Sequence, residues 1–218
     1  MMYDIVLMNW ARPKNVNYLI EHYSKMVSVS KIIVINNNSN DTELCAKLQP
    51  KEVRVNISED LGLFTRFAFA CLSRKDAIFL VDDDILLPEE TLLFLYNEWT
   101  KQPDTIHTLV GRNVENNQYS KLPVFEGKCD ISLTRCCVTT PEMCAKALKY
   151  AKNFVNELNG SPIGNGEDIL ISFVAGKSIA YRLPREELPA NDGIHKRPGH
   201  YEYRTKAVNW CQKNVIVS

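Results

Sequence analysis

The stretch Ala77-Ile78-Phe79-Leu80-Val81-Asp82-Asp83-Asp84 decides how the whole chain is read. Five apolar residues rich in strand formers and bounded by polar ones predict a short strand buried on both faces. Three carboxylates follow where that strand emerges. In an open α/β sheet the carboxyl ends of the strands border the ligand crevice, so acids placed there face a site and not the core. Crowded carboxylates repel and raise one another's pKa unless a cation shares their charge. A hard divalent ion with oxygen ligands is the obvious sharer. Strand alternation would send Asp82 and Asp84 one way and Asp83 the other.

The spacing is the D-x-D pattern with which nucleotide-sugar-dependent transferases hold a metal against a diphosphate. A plainer reading stands beside it. Asp84 runs into Ile85-Leu86-Leu87-Pro88-Glu89-Glu90, where Pro88 suits a first helical residue and the glutamates suit the helix dipole. Some of the acid would then be ordinary helix-start chemistry.

Upstream, strand and helix patterns alternate. Ile5 to Met8 reads as a first strand, followed by the turn Asn9-Trp10-Ala11-Arg12-Pro13 and a helix with apolar positions at Val16, Leu19, Ile20, Tyr23 and Met26, spaced by threes and fours. Lys31 to Ile35 is a β-branched strand ending in Asn36-Asn37-Asn38-Ser39-Asn40-Asp41. That loop could hydrogen-bond a base or ribose, or simply cap a helix starting near Thr42. Val53 to Ile57 reads as a third strand, and a helix through Phe64, Phe67, Ala68, Phe69, Ala70 and Leu72 leads to the acidic strand. The repeat implies a parallel sheet with right-handed crossovers. No G-x-G-x-x-G follows a strand, so a dinucleotide cofactor is not indicated.

Downstream, the sequence predicts a helix from Pro88 to Thr100 and strands over Ile106–Arg112 and Ile131–Val138, joined by a polar loop around Asn116-Asn117-Gln118-Tyr119. A helix from Pro141 to Leu158 follows, with apolar positions at Met143, Ala147, Leu148, Ala151 and Val155. The loop Asn159 to Gly166 should deliver Glu167 and Asp168 to the first turn of an apolar helix ended by Gly176, where carboxylates also suit the dipole. The stretch His195 to Lys206 is basic. It reads as a solvated surface or, through arginine's fork geometry, as a diphosphate contact. His195 or His200 could complete a metal shell, though a surface role is the plainer reading of each.

Composition narrows the class. At 218 residues the chain suits one well-cored α/β domain. Lys and Arg total 26 against 26 Asp and Glu. A protein binding nucleic acid through counterion release would show a basic excess, so no nucleic-acid partner is expected. The seven cysteines form no C-x-x-C pair, which points away from a zinc site or disulfide framework and toward a reducing compartment. The first apolar run is too short for a signal peptide and no segment is long enough to span a bilayer. A cytoplasmic location is the default, with the Golgi lumen open if the chain is part of a longer anchored one.

Taken together, the stations resemble the exostosin-type glycosyltransferase domain, glycosyltransferase family 64. They are Asn9-Trp10-Ala11-Arg12, Val34-Ile35-Asn36-Asn37-Asn38, Thr65-Arg66-Phe67, Leu80 to Asp84, Val110-Gly111-Arg112, Leu133-Thr134, Gly166 to Val174, and Gly199 to Arg204 with Asn209 behind. The resemblance implies an α/β GT-A fold, a single Rossmann-like, mixed but mostly parallel sheet flanked by helices. Residues 1–87 would form its nucleotide-binding half and 88–218 its acceptor-binding half. It further implies a manganese (or magnesium) dependent hexosyl- or N-acetylhexosaminyltransferase that moves sugar from a UDP-sugar to a glycan or glycoconjugate acceptor, with retention. On that resemblance Arg12, Asn37 and Arg66 line the uridine pocket, with Asp82 on the ribose side and Asp83 beside it. Asp84 binds the metal, Asp168 is the acid near the anomeric centre, and Arg204 meets the diphosphate. Two departures concern sugar and acceptor choice: Thr65 stands where the family commonly has Asn, and Cys136-Cys137 replace small residues. The competing classes are a sugar-1-phosphate nucleotidyltransferase, which usually needs a glycine-rich loop that Asn9 to Arg12 does not supply, and an inactive sugar-nucleotide-binding protein.

Overall fold

The computed structural model describes residues 2–38, 44, 47–158, 166–190 and 197–215. Its first half alternates as expected: β1 (Tyr3–Asn9), α1 (Pro13–Ser24), β2 (Val29–Asn36), β3 (Glu52–Asn56), α2 (Thr65–Ala70) and β4 (Ile78–Val81). These strands lie in the order β3-β2-β1-β4 and all pair in parallel, the Rossmann-type arrangement. The helix expected near Thr42, the end of the Asn-rich loop, the loop before Gly166 and His195 fall outside the described residues.

The second half comprises β5 (Ile85–Leu86), α3 (Glu89–Lys101), β6 (Ile106–Thr108), β7 (Gly111–Glu115), β8 (Gln118–Val124), β9 (Gly127–Cys129), β10 (Ile131–Ser132) and β11 (Cys136–Thr139). It ends with α4 (Pro141–Glu157), α5 (Glu167–Ala175), β12 (Ser178–Ala180), β13 (Glu186–Glu187) and α6 (His200–Asn214). The main sheet runs β3-β2-β1-β4-β11-β6-β12-β9, with β11 antiparallel to both neighbours and β9 antiparallel to β12. The result is the mixed, mostly parallel α/β sheet that the sequence implied.

Burial on both faces explains the apolar runs. In β1, Ile5 and Leu7 join a core with residues of α1 and α3, while Val6 joins a second core with residues of α2, α4, α5 and α6. β4 divides the same way, Phe79 and Val81 to one face, Ile78 and Leu80 to the other. A fully buried side chain of this size is worth about 1.5–3 kcal/mol. A four-residue strand can therefore be held firmly at the centre of the sheet.

Several expectations need correction. Ile106–Arg112 and Ile131–Val138 are not continuous strands; each breaks in two, leaving β6 and β11 in the main sheet and moving β7 and β10 into a small sheet with β8. Thr108 Oγ1 lies 2.8–3.2 Å from the carbonyl oxygens of Val110, Leu133 and Cys136, so one hydroxyl pins both breaks. The expected polar loop is a tight hairpin turn between β7 and β8. Asn116 and Asn117 there have φ of 52° and 60°, which suits the right-handed twist of the paired strands. Pro88 stands outside the helix as its extended N-cap. Leu72 lies beyond α2 and is 70% exposed. The basic stretch from His200 onward starts α6, anchored by the buried Ala207, Val208, Trp210 and Cys211.

Gly111, where the chain changes sheets, has no room for a side chain. A Cβ there would sit on the Cys129 sulfur and 2.6 Å from its Cβ. Gly111→Ala is expected to destabilise the fold by about 1–3 kcal/mol, the usual cost of overpacking. Adding Cys129→Gly, which removes both clashing atoms, should restore part of it in thermal unfolding. Equal loss with and without the cysteine would show that the contact is not the cause.

Candidate active site

The site lies at the carboxyl ends of the central strands. Asn9, Asn36 and Asn56 close β1, β2 and β3 in register. Asn9 Nδ2 donates to Asn36 Oδ1 at 3.0 Å, and Asn36 Nδ2 donates to Asn56 Oδ1 at 3.1 Å. This amide ladder levels the rim of the sheet. Asn37, the next residue, donates from Nδ2 to Asp60 Oδ1 at 2.5 Å and accepts from the Leu61 N–H at 3.2 Å.

β4 ends at Val81, and Asp82 to Asp84 turn away from the sheet instead of continuing the strand, with the Asp82 N–H donating to the Arg135 carbonyl at 3.0 Å. The expected alternation therefore does not hold. All three acids line one cleft, and each meets an arginine. Arg66 Nη1 lies 3.0 Å from Asp82 Oδ1. Arg12, the N-cap of α1 whose side chain makes no capping hydrogen bond, reaches Asp83 in a short contact and Asp84 Oδ2 at 3.8 Å. Arg135 Nε and Nη2 each lie 3.4 Å from Asp84 Oδ1. Burial raises the carboxyl of Asp82 against the pull of Arg66, and lifts that of Asp83 to about 6 against the pull of Arg12.

The second acidic station comes from α5. Gly166 precedes it at φ 153°, where an added Cβ would press 2.9 Å from the Phe154 ring. Glu167 and Asp168 are buried. Asp168 Oδ2 accepts from Arg204 Nη2 at 2.5 Å, and the Arg204 guanidinium carbon stands 4.3 Å from the centre of the Tyr119 ring. Burial opposes the charge on Arg204, but Asp168 and Tyr119 outweigh it and the group is raised. Glu167 is raised by burial and then by Asp168. Thr134 joins the stations: its hydroxyl donates to Glu167 Oε1 at 3.1 Å, and its carbonyl accepts from Arg66 at 3.4 Å.

All eight residues singled out in the sequence, Arg12, Asn37, Arg66, Asp82, Asp83, Asp84, Asp168 and Arg204, line this single cleft of about 990 Å³. Glu167, expected beside Asp168 on the first turn of its helix, lines it too, as do Arg135, Asp60 and Tyr119, which sequence reasoning missed as site residues. Arg135 had a signal, since a cation beside Thr134 precedes a buried strand; Asp60 and Tyr119 had none. Cys136 and Cys137, which stand where the family has small residues, are fully buried in β11, paired with Val81 and Leu80.

The donor set fits a hard divalent ion that draws further oxygen ligands from phosphate and water. Among the described residues no group of three His, Cys, Asp or Glu could cage a metal alone. Such an ion, however, takes most of its oxygens from phosphate and water and needs only one or two carboxylates from protein. Asp84, with its side chain 21% exposed at the cleft wall, offers one.

The fold is the GT-A glycosyltransferase fold. GalNAc-T7, solved with UDP, GalNAc and Mn2+, superposes with a TM-score of 0.61 at 12% identity, over 97% of this chain and 48% of that one. The glycosyl transferase family 64 domain profile matches residues 3–213, and the chain belongs to that family. Glycosylinositol phosphorylceramide mannosyl transferase 1 of Arabidopsis thaliana is 24% identical over 95% of this chain and 70% of its own length. Exostosin-2 of Mus musculus is 25% identical over 95% of the chain and 31% of its own length. Glucosamine inositolphosphorylceramide transferase 1 of Oryza sativa subsp. japonica is 24% identical over 91% and 28%. The chain thus spans less than a third of the latter two. No helix among the described residues is long and apolar enough to cross a membrane.

Burial pushes the Cys137 thiol up to about 12 and Cys136 well above its ordinary value, so neither carries thiolate at neutral pH. Ellman's reagent followed by peptide mass mapping should leave both unmodified in the native protein and modify both in denaturant. Native labelling of either would contradict the full burial of β11.

Proposed function

We propose that the protein transfers a hexose or N-acetylhexosamine from a UDP-sugar to a hydroxyl of a glycan or glycoconjugate acceptor, with manganese or magnesium required and the anomeric configuration retained. The observation that carries this reading is the meeting in one cleft of the D-x-D triplet, Arg12, Asn37 and Arg66 with Asp168 and Arg204. Support comes from GalNAc-T7, which was crystallised with UDP, GalNAc and Mn2+, and from relatives named as mannosyl and glucosamine transferases.

The chemical demand is to release a diphosphate that gains negative charge as the sugar leaves. Preorganised positive charge aimed at that group is usually the largest catalytic contribution. Arg12, Asn37 and Arg66 hold the uridine, with Asp82 on the ribose side and Asp83 fixing Arg12. Asp84 holds the ion, which when bound acts as a Lewis acid on the diphosphate. Arg204 adds a fixed cation and keeps Asp168 oriented. Asp168 positions the acceptor hydroxyl and stabilises positive charge growing at the anomeric carbon.

The test is a panel of UDP-sugars assayed for manganese-dependent UDP release. At least one should turn over in the wild type, and Asp84→Ala should abolish the release while the fold persists. Pyrophosphate release from UTP and a sugar phosphate would instead mark a nucleotidyltransferase. Asp168→Asn should lower turnover by about 10²–10⁴, the range for a lost acid or base, with UDP affinity little changed. It should also lower the unfolding temperature, because removing one partner of a buried ion pair costs about 3–5 kcal/mol. Full turnover by that variant would remove Asp168 from the chemistry.

A further inference from the structure

Arg135 has a position that the proposed transfer does not use. Its guanidinium faces Asp84 with two nitrogens at 3.4 Å, while Nη1 lies 3.1 Å from Glu187 Oε1 and Nη2 makes a short contact with the same carboxylate. Glu187 is itself placed by the triplet's neighbours. β13 pairs with β5, matching Glu187 to Ile85, and the Leu188 N–H donates to the Asp84 carbonyl at 2.8 Å. One arginine is therefore shared between the carboxylate assigned to the ion and a second one fixed to the same backbone.

The contact distances to the two acids are unequal. Arg135 meets Glu187 closely and Asp84 only at the long end of hydrogen-bond range. Leaving Asp84 would cost the guanidinium its weaker partner and keep its stronger one. An ion approaching Asp84 Oδ1 meets positive charge already in place, and two cations cannot share that oxygen without strong repulsion.

We propose that Arg135 is a built-in competitor for the divalent ion: it occupies Asp84 in the nucleotide-free protein, rests on Glu187 when displaced, and so weakens ion binding until a nucleotide diphosphate adds its own charge. This is a positioning role resting on the assignment of Asp84 as the ion's ligand. Its consequence is an order of loading, in which free manganese binds weakly and manganese with UDP binds well.

The experiment measures manganese affinity of the purified protein by electron paramagnetic resonance titration, without nucleotide and then with UDP, with thermal unfolding of every variant as a check on folding. Arg135→Met should tighten nucleotide-free manganese binding about two- to fivefold, the size expected for losing one partly exposed charge contact, and narrow the difference that UDP makes. Arg185→Met removes a cation that also contacts Glu187, at 3.3 Å, with no ion pair to Asp84; it should change manganese affinity by less than twofold. Equal effects of the two variants would mean general charge and not competition at Asp84, and would overturn the proposal, as would unchanged affinity in folded Arg135→Met. Asp84→Asn separates the two levels of argument. If it leaves manganese binding intact with UDP present, the assignment of Asp84 fails; if it abolishes that binding while Arg135→Met changes nothing, only the competitor role fails.

Discussion

The structure depends on sharing negative charge between distant parts of the chain. Asp82, Asp83, Asp84 and Asp168 each meet a guanidinium from elsewhere: Arg66 from α2, Arg12 from the turn after β1, Arg135 from the break before β11, and Arg204 from α6. Carboxylates so crowded and withdrawn from water would otherwise take up protons or push the segments apart. The pairs do the reverse and draw four segments onto one cleft. The sheet supplies the floor, but the ion pairs decide which loops face it.

On the proposed function, that arrangement has a chemical use. A nucleotide diphosphate and its cation bring both signs of charge, so they can exchange partners with a lattice of paired acids and arginines without leaving any group bare. Arg66 and Arg204 are buried and tied to buried or half-buried acids, whereas Arg12 and Arg135 are partly exposed and share Asp84. The exchange is therefore easiest at Asp84. The fixed pairs hold the shape of the site while the exposed one accommodates what arrives.

Much of this was legible in the sequence, for reasons that can be named. β1, β2 and β4 read correctly because strands buried on both faces are apolar throughout, and α1 and α4 because one face repeats every three or four residues. Asn37 and the three aspartates fell into the cleft because they follow strand ends at the rim of the sheet, whereas Arg12, Arg66, Asp168 and Arg204 lie on helices or their caps and were singled out by the family resemblance. The breaks at Leu109–Val110 and Leu133–Arg135 were hidden, since residues on both sides suit strands and the cause is the Thr108 hydroxyl, a contact across 25 or more residues. Which arginine meets which acid of the triplet was hidden for the same reason. A lone charge in sequence does not declare which distant charge it meets, so the sequence suggested a metal where the folded chain supplies guanidinium groups as well.

The central claim is that the cleft built on these shared charges receives the nucleotide and its ion. A crystal structure determined with UDP and manganese tests it most directly. The account predicts the uridine against Arg12, Asn37 and Arg66, the ion on Asp84, and Arg135 moved onto Glu187. A nucleotide bound away from the triplet, with all four ion pairs as they stand here, would contradict it.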